Sequence, residues 1–183
     1  LTSQIADKIA EAIEAYQPER FLFSETRDIT FNTSVGQEFY GDSTSPIAVA
    51  GMSTLQAWDY LILYIGSIPW PIARRTDTEI EVLNQNGLMR GQPWNWSYFN
   101  EQLRLGPVPD TTYQMRIAAH QRIAPPTTDD QAGNPWMTQI AERMIRCRAK
   151  GELYAHVIRE DDEAQKFFGL AIEAFDTLKG QTN

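Results

Sequence analysis

The amino-acid sequence predicts an α+β fold in which terminal helices form a helical bundle and carry an inserted, mostly antiparallel β-domain. Apolar residues recur at intervals of three and four near both ends of the chain, which is the period of an amphipathic helix. Between the ends, apolar and polar residues alternate, which is the period of a half-buried strand. With 183 residues we expect a single domain, with a helical part at about 1–24 and 134–180 and a β-rich insertion at about 27–123.

The N-terminal segment predicts one helix and two strands. A helix is expected over 3–16, and Pro18 ends it because proline cannot continue the backbone hydrogen bonds. Its apolar stripe consists of Ile5, Ile9, Ala12, Ile13 and Tyr16. Two strands are then predicted at 27–31 and 37–40, on either side of Ser34-Val35-Gly36.

The strongest strand signal lies at 58–65, which is apolar on both faces apart from Asp59. A strand of this kind is expected to be covered on both sides, by its own domain or by a partner. The next segment, 68–72, contains two prolines. Because proline has no N–H to donate to a neighbour, this segment is predicted to be an edge strand.

A central stretch predicts two further strands. Leu103 and Leu105 alternate with polar residues, and apolar residues alternate with polar ones again over 113–120, so both strands are expected to be half-buried. The prolines in the link, 106–110, require a turn or a kinked edge. The segment 98–102 is typical of a tight hairpin turn.

Three more helices begin at recognisable signals. Thr76 and Glu79 form a capping box, in which each side chain binds the backbone N–H of the other residue. Asn134 followed by proline predicts the start of one continuous helix over 135–158. The acids from Asp161 onward start a last helix that ends at a glycine. The long helix carries one apolar stripe, formed by Trp136, Ile140, Met144, Cys147, Gly151 and Tyr154.

The composition limits the classes of function. Acidic residues outnumber basic ones by 24 to 16, which gives a net charge of −8. This balance argues against broad nucleic-acid binding, since contacts to phosphate dominate that affinity. No apolar run reaches the roughly 18 residues of a membrane span. The one cysteine, Cys147, excludes an internal disulfide.

No catalytic, metal or cofactor site is predicted. Of the two histidines, His120 lies alone on a strand, whereas His156 has Glu152 and Glu160 at helical spacing. That spacing is common on solvated helices, so we favour no metal site. Cys147 lies on an apolar stripe and is expected to be a core residue rather than a nucleophile. The sequence has no nucleophile elbow, Walker loop or dinucleotide-binding glycine motif.

Two clusters are candidate interaction sites. The basic set consists of Arg143, Arg146, Arg148 and Lys150. It is either a solvated helix surface paired with its own acids or a contact for an acidic partner, such as the run 160–163 of a neighbouring copy. The aromatic set consists of Trp94, Trp96 and Tyr98. It is expected to form core or an interface, and the alternative is stacking on sugars or bases.

The order of several segments resembles the tailed-bacteriophage head-to-tail adaptor (connector) proteins. A helix is followed by ERFLFSE and TFNTSVGQEFYG, then by PIARRT, and then by GQPWNWSYFNEQLRLGPVPDTTYQMRIAAHQRI and NPWMTQIAERMIRCRAKGELYAHVIRE. The likeness extends from about Ile5 to about Ala174.

The resemblance implies a structural virion protein with no catalytic role and no cofactor. Such proteins are made in the bacterial cytoplasm and assemble as a ring of about twelve copies at the head–tail junction. The ring docks below the portal protein, contacts downstream tail or nozzle proteins, and lets DNA pass through its lumen without specific binding. The alternative is a monomeric β-rich recognition module that binds glycans through Trp94, Trp96 and Tyr98. A small enzyme is a weaker third possibility.

Overall fold

A computed structural model describes residues 2–41, 46–126, 133–137 and 139–180, with the side chains of 2, 3, 139 and 140 outside the description. The chain divides into two compact units. One comprises Leu1–Glu25 and Arg122–Asn183, and the other comprises Thr26–Gln121. We call them the helical unit and the sheet unit.

Among its described residues, the sheet unit contains nine strands and one α-helix. The strands are β1 (Glu25–Asn32), β2 (Phe39–Gly41), β3 (Leu55–Ile65), β4 (Ile68–Arg74), β5 (Arg90–Gly91), β6 (Asn95–Phe99), β7 (Gln102–Gly106), β8 (Val108–Pro109) and β9 (Gln114–Gln121). Seven of them form one sheet in the order β1-β9-β3-β4-β6-β7-β2, while β5 and β8 form a separate parallel pair. Within the large sheet β4 and β6 run parallel, whereas the pairs β3–β4, β3–β9, β6–β7 and β2–β7 are antiparallel.

The predicted architecture, a terminal helical bundle with an inserted and mostly antiparallel β-domain, is wrong. The dominant feature is a large, curled, seven-stranded mixed sheet, a half-barrel, and four helices accompany it. The parallel pairing of β4 with β6 is what makes the sheet mixed. Helix α2 (Asp77–Asn84) lies in the connection from β4 to β6, and parallel strands require such a crossover. Local sequence patterns identified the helix but not the strand order that it produces.

The curl of the sheet brings its two edges together. Strands β1 and β2 are close in sequence, yet they lie at opposite ends of the strand order. Their aromatic rings nevertheless meet, with 5.2 Å between the ring centroids of Phe31 and Tyr40. The Tyr40 hydroxyl donates to the carbonyl of Gln37 at 2.9 Å and accepts from the N–H of Ser34 at 3.1 Å. This one buried side chain therefore fixes the link between the two edge strands.

The core of the sheet unit lies on the concave side of the curled sheet. It contains Tyr40, Trp58, Leu61, Leu63, Trp96, Leu103, Leu105, Met115 and Ile117. The hairpin turn predicted at 98–102 is confirmed, since Phe99 pairs with Gln102 and both Asn100 and Glu101 have positive φ. The predicted link at 106–110 carries the short strand β8.

The expectation that both central strands are half-buried is wrong for β7. Every residue from Leu103 to Gly106 is buried, including Arg104, and His120 on β9 is buried as well. The polar side of β7 is buried because α2 packs against it. Strand β3 is only partly covered within its own chain, since Asp59 is exposed and Ile62 is half-buried. Cover by a partner stays a prediction.

Arg104 is the centre of a polar network beneath α2. Its side chain is 6% exposed, and its guanidinium lies 3.2 Å from a Glu38 carboxylate oxygen and 3.4 Å from one of Asp77. It also binds Glu81. Burial lowers the pKa of Arg104, but the hydrogen bond to Glu81 and the surrounding carboxylate charges raise it overall. Asn84 donates to Glu38 at 2.9 Å and extends the network to the end of α2.

The capping box at the start of α2 is confirmed. The Thr76 hydroxyl accepts from the N–H of Glu79 at 3.3 Å, and the Glu79 carboxylate accepts from the N–H of Thr76 at 2.9 Å. These hydrogen bonds favour the charged carboxylate and therefore lower the pKa of Glu79. Local capping and the Arg104 network together hold both ends of α2 in place.

We predict that Arg104→Met lowers the free energy of unfolding by about 2 kcal/mol, because it leaves partly buried carboxylates without their cation. The loss stays below that of a fully buried ion pair since Glu81 keeps contact with water. Chemical denaturation would measure it. The matched control is Arg27→Ala on β1, an exposed arginine whose replacement should change the free energy by less than about 0.5 kcal/mol. Equal effects of the two substitutions would contradict a stabilising network.

The helical unit contains three longer helices. They are α1 (Thr2–Tyr16), α3 (Gln139–Leu153) and α4 (Asp161–Gly180). The continuous helix predicted over 135–158 is wrong at both ends, because Pro135–Met137 is a 3-10 turn and Tyr154–Ile158 is a π-helical turn. Arg159 then adopts the left-handed conformation, with φ of 65°, and ends the π-helical turn before α4 begins.

Helix α3 packs against both α1 and α4. The shared core consists of Ala12, Ile13, Tyr16, Phe21, Trp136, Ala141, Met144, Ile145, Ala149, Ala174 and Leu178. Of the predicted stripe, Trp136, Met144, Cys147 and Gly151 are buried and Tyr154 is half-buried, whereas the side chain of Ile140 lies outside the described residues. The absence of a side chain at Gly151 lets α4 approach, since a Cβ there would lie 2.6 Å from the Phe168 ring.

We predict opposite signs for two glycine-to-alanine changes. Gly151→Ala should lower the free energy of unfolding by about 1 kcal/mol, because overpacking against Phe168 outweighs the better helix propensity of alanine. Gly169→Ala, in the exposed interior of α4 with open space around it, should raise it by about 0.5–1 kcal/mol. Thermal unfolding followed by circular dichroism measures both. A stabilised Gly151→Ala protein would refute the close approach of α4.

Candidate functional site

The basic set does not form one continuous patch. On α3, Arg146 pairs with Glu142, and the Nε of Arg148 lies 3.0 Å from Glu152. Arg143 reaches Glu173 of α4 at 3.6 Å. The Lys150 ammonium lies 5.2 Å from the centroid of the Phe167 ring. All four charges therefore contact groups of their own unit, and the exposed ones are Arg143, Arg146 and Lys150.

The aromatic set is divided between core and surface. Trp96 is only 1% exposed, and its indole N–H donates to the carbonyl of Ile72 at 3.2 Å. Tyr98 is half-buried, with its ring centroid 4.7 Å from that of Trp58. Only Trp94 is an exposed residue. The three side chains therefore do not form a shared platform on which a sugar ring or a base could stack.

The histidines and the cysteine lie apart from one another. His120 is buried, with its Nε2 3.4 Å from a carboxylate oxygen of Asp59. His156 lies 3.2 Å from Glu152 on the helical unit, and Cys147 is buried in the same unit. Among the described residues, no group of three or more His, Cys, Asp or Glu side chains is arranged to hold a metal ion. Within the same part of the chain, no helix has the length and apolarity needed to cross a membrane.

An open polar cleft lies beside the start of α2. Its volume is about 430 Å³, and its lining includes Arg74, Arg75, Thr76, Asp77, Glu79, Ser97 and Tyr98. The carboxylates in this cleft are already engaged. Asp77 accepts from the Ser97 hydroxyl at 3.1 Å and contacts Arg104, while Glu79 closes the capping box. These contacts build the fold, and the cleft presents no pair of carboxylates arranged for acid–base chemistry.

The most unusual surface is the end of the hairpin formed by β3 and β4. Residues 60–72 carry no charge, in a chain in which 22% of residues are charged. At the end of the hairpin Ile65, Ile68 and Trp70 are 39%, 60% and 50% exposed. They continue the core-facing side of the hairpin, since Trp70 pairs with the buried Leu63. The apolar face of the hairpin therefore continues past the buried core into solvent. We call Ile65, Ile68 and Trp70 the hairpin end.

The free side of β4 lacks backbone donors. The N–H of Ala73 donates to the carbonyl of Trp94 at 3.0 Å, so this edge faces β6. The backbone groups of Pro69 and Pro71 face the same edge as the N–H of Ala73, because the backbone groups of alternate residues in a strand point to the same side. Neither proline has an N–H to offer there. The predicted edge strand is thus correct for 68–72, whereas Ala73 and Arg74 pair with β6. The missing donors disfavour strand addition at this edge and favour a partner that contacts side chains.

An acidic group lies at the same end of the sheet as the hairpin end. Tyr113 directly precedes Gln114, which pairs with Tyr64 on β3. The Tyr113 hydroxyl donates to a carboxylate oxygen of Asp110 at 2.7 Å. Burial and this hydrogen bond raise the pKa of Tyr113 to about 12, so the phenol stays neutral and continues to donate at ordinary pH. The exposed carboxylate of Asp110 is therefore held at this end of the sheet.

The helical unit contains an apolar groove between α1 and α3. Its volume is about 300 Å³. The lining is mostly aliphatic and includes Ile5, Ile9, Ile13, Ile145, Ala149 and Leu153, and Glu142, Arg146 and Lys150 also border it. Sequence reasoning missed this groove, because its two sides come from segments more than a hundred residues apart. It also missed the hairpin end, although the charge-free run at 60–72 was visible.

The sequence matches no protein-family model, and no curated protein matches it significantly.

Proposed function

We propose that this chain is a structural virion protein, a head-to-tail adaptor that forms a ring below the portal, joins the capsid to the tail and lines the DNA passage. Its partners are the portal protein, neighbouring copies in a ring of about twelve, and downstream tail or nozzle proteins. The protein acts at the head–tail junction of the virion after synthesis in the bacterial cytoplasm. In this proposal it has no catalytic role.

The hairpin end is the observation that carries the proposal. Ile65, Ile68 and Trp70 expose apolar surface together, and contiguous exposed apolar surface marks interaction sites. Interface cores are depleted in charge and enriched in aromatic residues, which describes the uncharged segment 60–72. An assembly protein requires such a surface, whereas an isolated binding module does not.

The charge balance and the division of the aromatic set support the same function. At −8 per copy, a ring would repel DNA phosphates, so that DNA slides through the lumen without sticking. The glycan-binding alternative needs stacking by Trp94, Trp96 and Tyr98, yet the Trp96 ring is buried in the core. The geometry therefore favours an assembly protein over a recognition module.

We predict that the purified protein is monomeric or weakly associated at micromolar concentration and forms its ring on the portal. Like charge of −8 on each copy opposes association, and the portal ring offsets this cost by supplying contacts and symmetry. Sedimentation velocity with and without the portal protein of the same phage measures the outcome. A closed ring without portal would refute templating, and failure to bind portal would refute the adaptor function.

We further predict that Trp70→Ala weakens assembly roughly 30-fold, since truncating an aromatic anchor of an interface costs about 2 kcal/mol. The fold should be unaffected because the side chain is half exposed at the end of a hairpin. Leu88→Ala is the matched control, as Leu88 is 81% exposed and belongs to the turn after α2 rather than to the hairpin. Titration of portal, followed by electron microscopy of negatively stained particles, measures ring formation. Equal assembly of the two variants would exclude Trp70 from the interface.

A further inference from the structure

We infer that the hairpin end of one copy docks into the groove between α1 and α3 of a neighbouring copy. This inference rests on the proposed function, because it names the contact that links copies within the ring. It joins two apolar surfaces described above, the hairpin end and the groove.

The groove has the size and the lining for a large apolar side chain. Its volume of about 300 Å³ lies at the lower end of the range for small-molecule pockets, about 300–1,000 Å³. Ile5 and Leu153 remain partly exposed along it, and Ile13 and Ala149 form its buried floor. An indole ring with one aliphatic neighbour is of that size. Its single polar group, the N–H, requires an acceptor at the border of the groove, where Glu142 lies.

The hairpin end matches this groove in chemistry. Trp70 offers the ring, while Ile68 and Ile65 offer the aliphatic neighbours. Pro69 and Pro71 leave no N–H on the free edge of β4, so an added strand would lack those donors. Insertion of side chains into a groove does not need them.

The borders of the two surfaces carry opposite charges. Arg146 and Lys150 border the groove together with one acid, Glu142, which pairs with Arg146, so one basic side chain is in excess there. At the same end of the sheet as the hairpin end lies the exposed carboxylate of Asp110, hydrogen-bonded by Tyr113. Docking brings this carboxylate toward a basic border, and complementary charges at the edge of an interface fix its orientation. This complementarity selects a second copy of the chain as the occupant.

The geometry of such a contact leads to a ring. The hairpin end and the groove are different surfaces, so each copy uses one to bind a neighbour and keeps the other for the next. Contacts of this head-to-tail type close into rings when the rotation between copies allows it. A single kind of contact therefore suffices to build the proposed assembly.

Cross-linking between chains tests the contact. Ser67→Cys, at the turn of the hairpin, and Leu153→Cys, in the groove, are made separately in a Cys147→Ala background, with a size tag on one of them. The two are mixed with a short bismaleimide, both on portal and as concentrated protein alone. We expect a heterodimer in the mixture that neither variant gives alone. Thr30→Cys, exposed on β1, replaces Ser67→Cys as the matched control and should give none.

Adding Trp70→Ala to the Ser67→Cys chain should lower the rate of cross-linking about tenfold, as expected for a lost anchor. Circular dichroism confirms that each variant folds. Portal-bound rings without the 67–153 cross-link would overturn the inference while the adaptor function stands. A 67–153 cross-link in a protein that ignores portal would support the contact and overturn the adaptor function. Binding of the hairpin to phosphatidylglycerol vesicles, lost with Trp70→Ala and without any cross-link, would overturn the inference in favour of a lipid surface.

Discussion

The buried guanidinium of Arg104 is the interaction on which the sheet unit depends. It joins β7 to Glu38, next to β2, and to both turns of α2 through Asp77 and Glu81. Because α2 is held against β7, the chain returns from it into β6 parallel to β4, and β6 pairs with β4 only at Ala73 and Arg74, the last residues of β4. Among the described residues, no strand pairs with the rest of β4 on that side. The exposed hairpin end is thus a consequence of how a polar network anchors one short helix.

Elements that depend on neighbouring residues could be predicted from the sequence, whereas the pairing of those elements could not. Residues close by in the sequence determine the capping box, the turn at Asn100 and Glu101, and the helices. Strand order does not, because it is decided by contacts such as that of Arg104 with Glu38, which is 66 residues away. The alternating pattern of β7 was therefore interpreted as one polar face toward water, although that face is buried beneath α2. The prediction of a continuous helix failed for a related reason, since the left-handed Arg159 and the π-helical turn leave no periodic signal.

The candidate surfaces also divide into features that the sequence predicts and features that only the structure shows. The basic set was visible in the sequence, but only the structure shows that its members contact groups of their own unit and that Arg146 and Lys150 border a groove. Of the aromatic set, Trp96 supports the core and Trp94 is exposed, a difference that spacing alone does not reveal. The charge-free segment at 60–72 was the one sequence signal that could have located the hairpin end, because 22% of the chain's residues are charged and a run without charge therefore stands out.

The chain separates the interactions that stabilise it from those proposed to connect it to others. Ionic contacts are used within each unit, where Arg104, Arg148 and Lys179 each meet a carboxylate of the same unit. The hairpin end proposed for assembly carries no charge. In a protein with a net charge of −8, a contact between copies must gain free energy without adding like charge at short range, and apolar burial meets that condition. Prolines on β4 then disfavour strand addition, so the same surface that favours specific docking is protected against open-ended β-sheet growth.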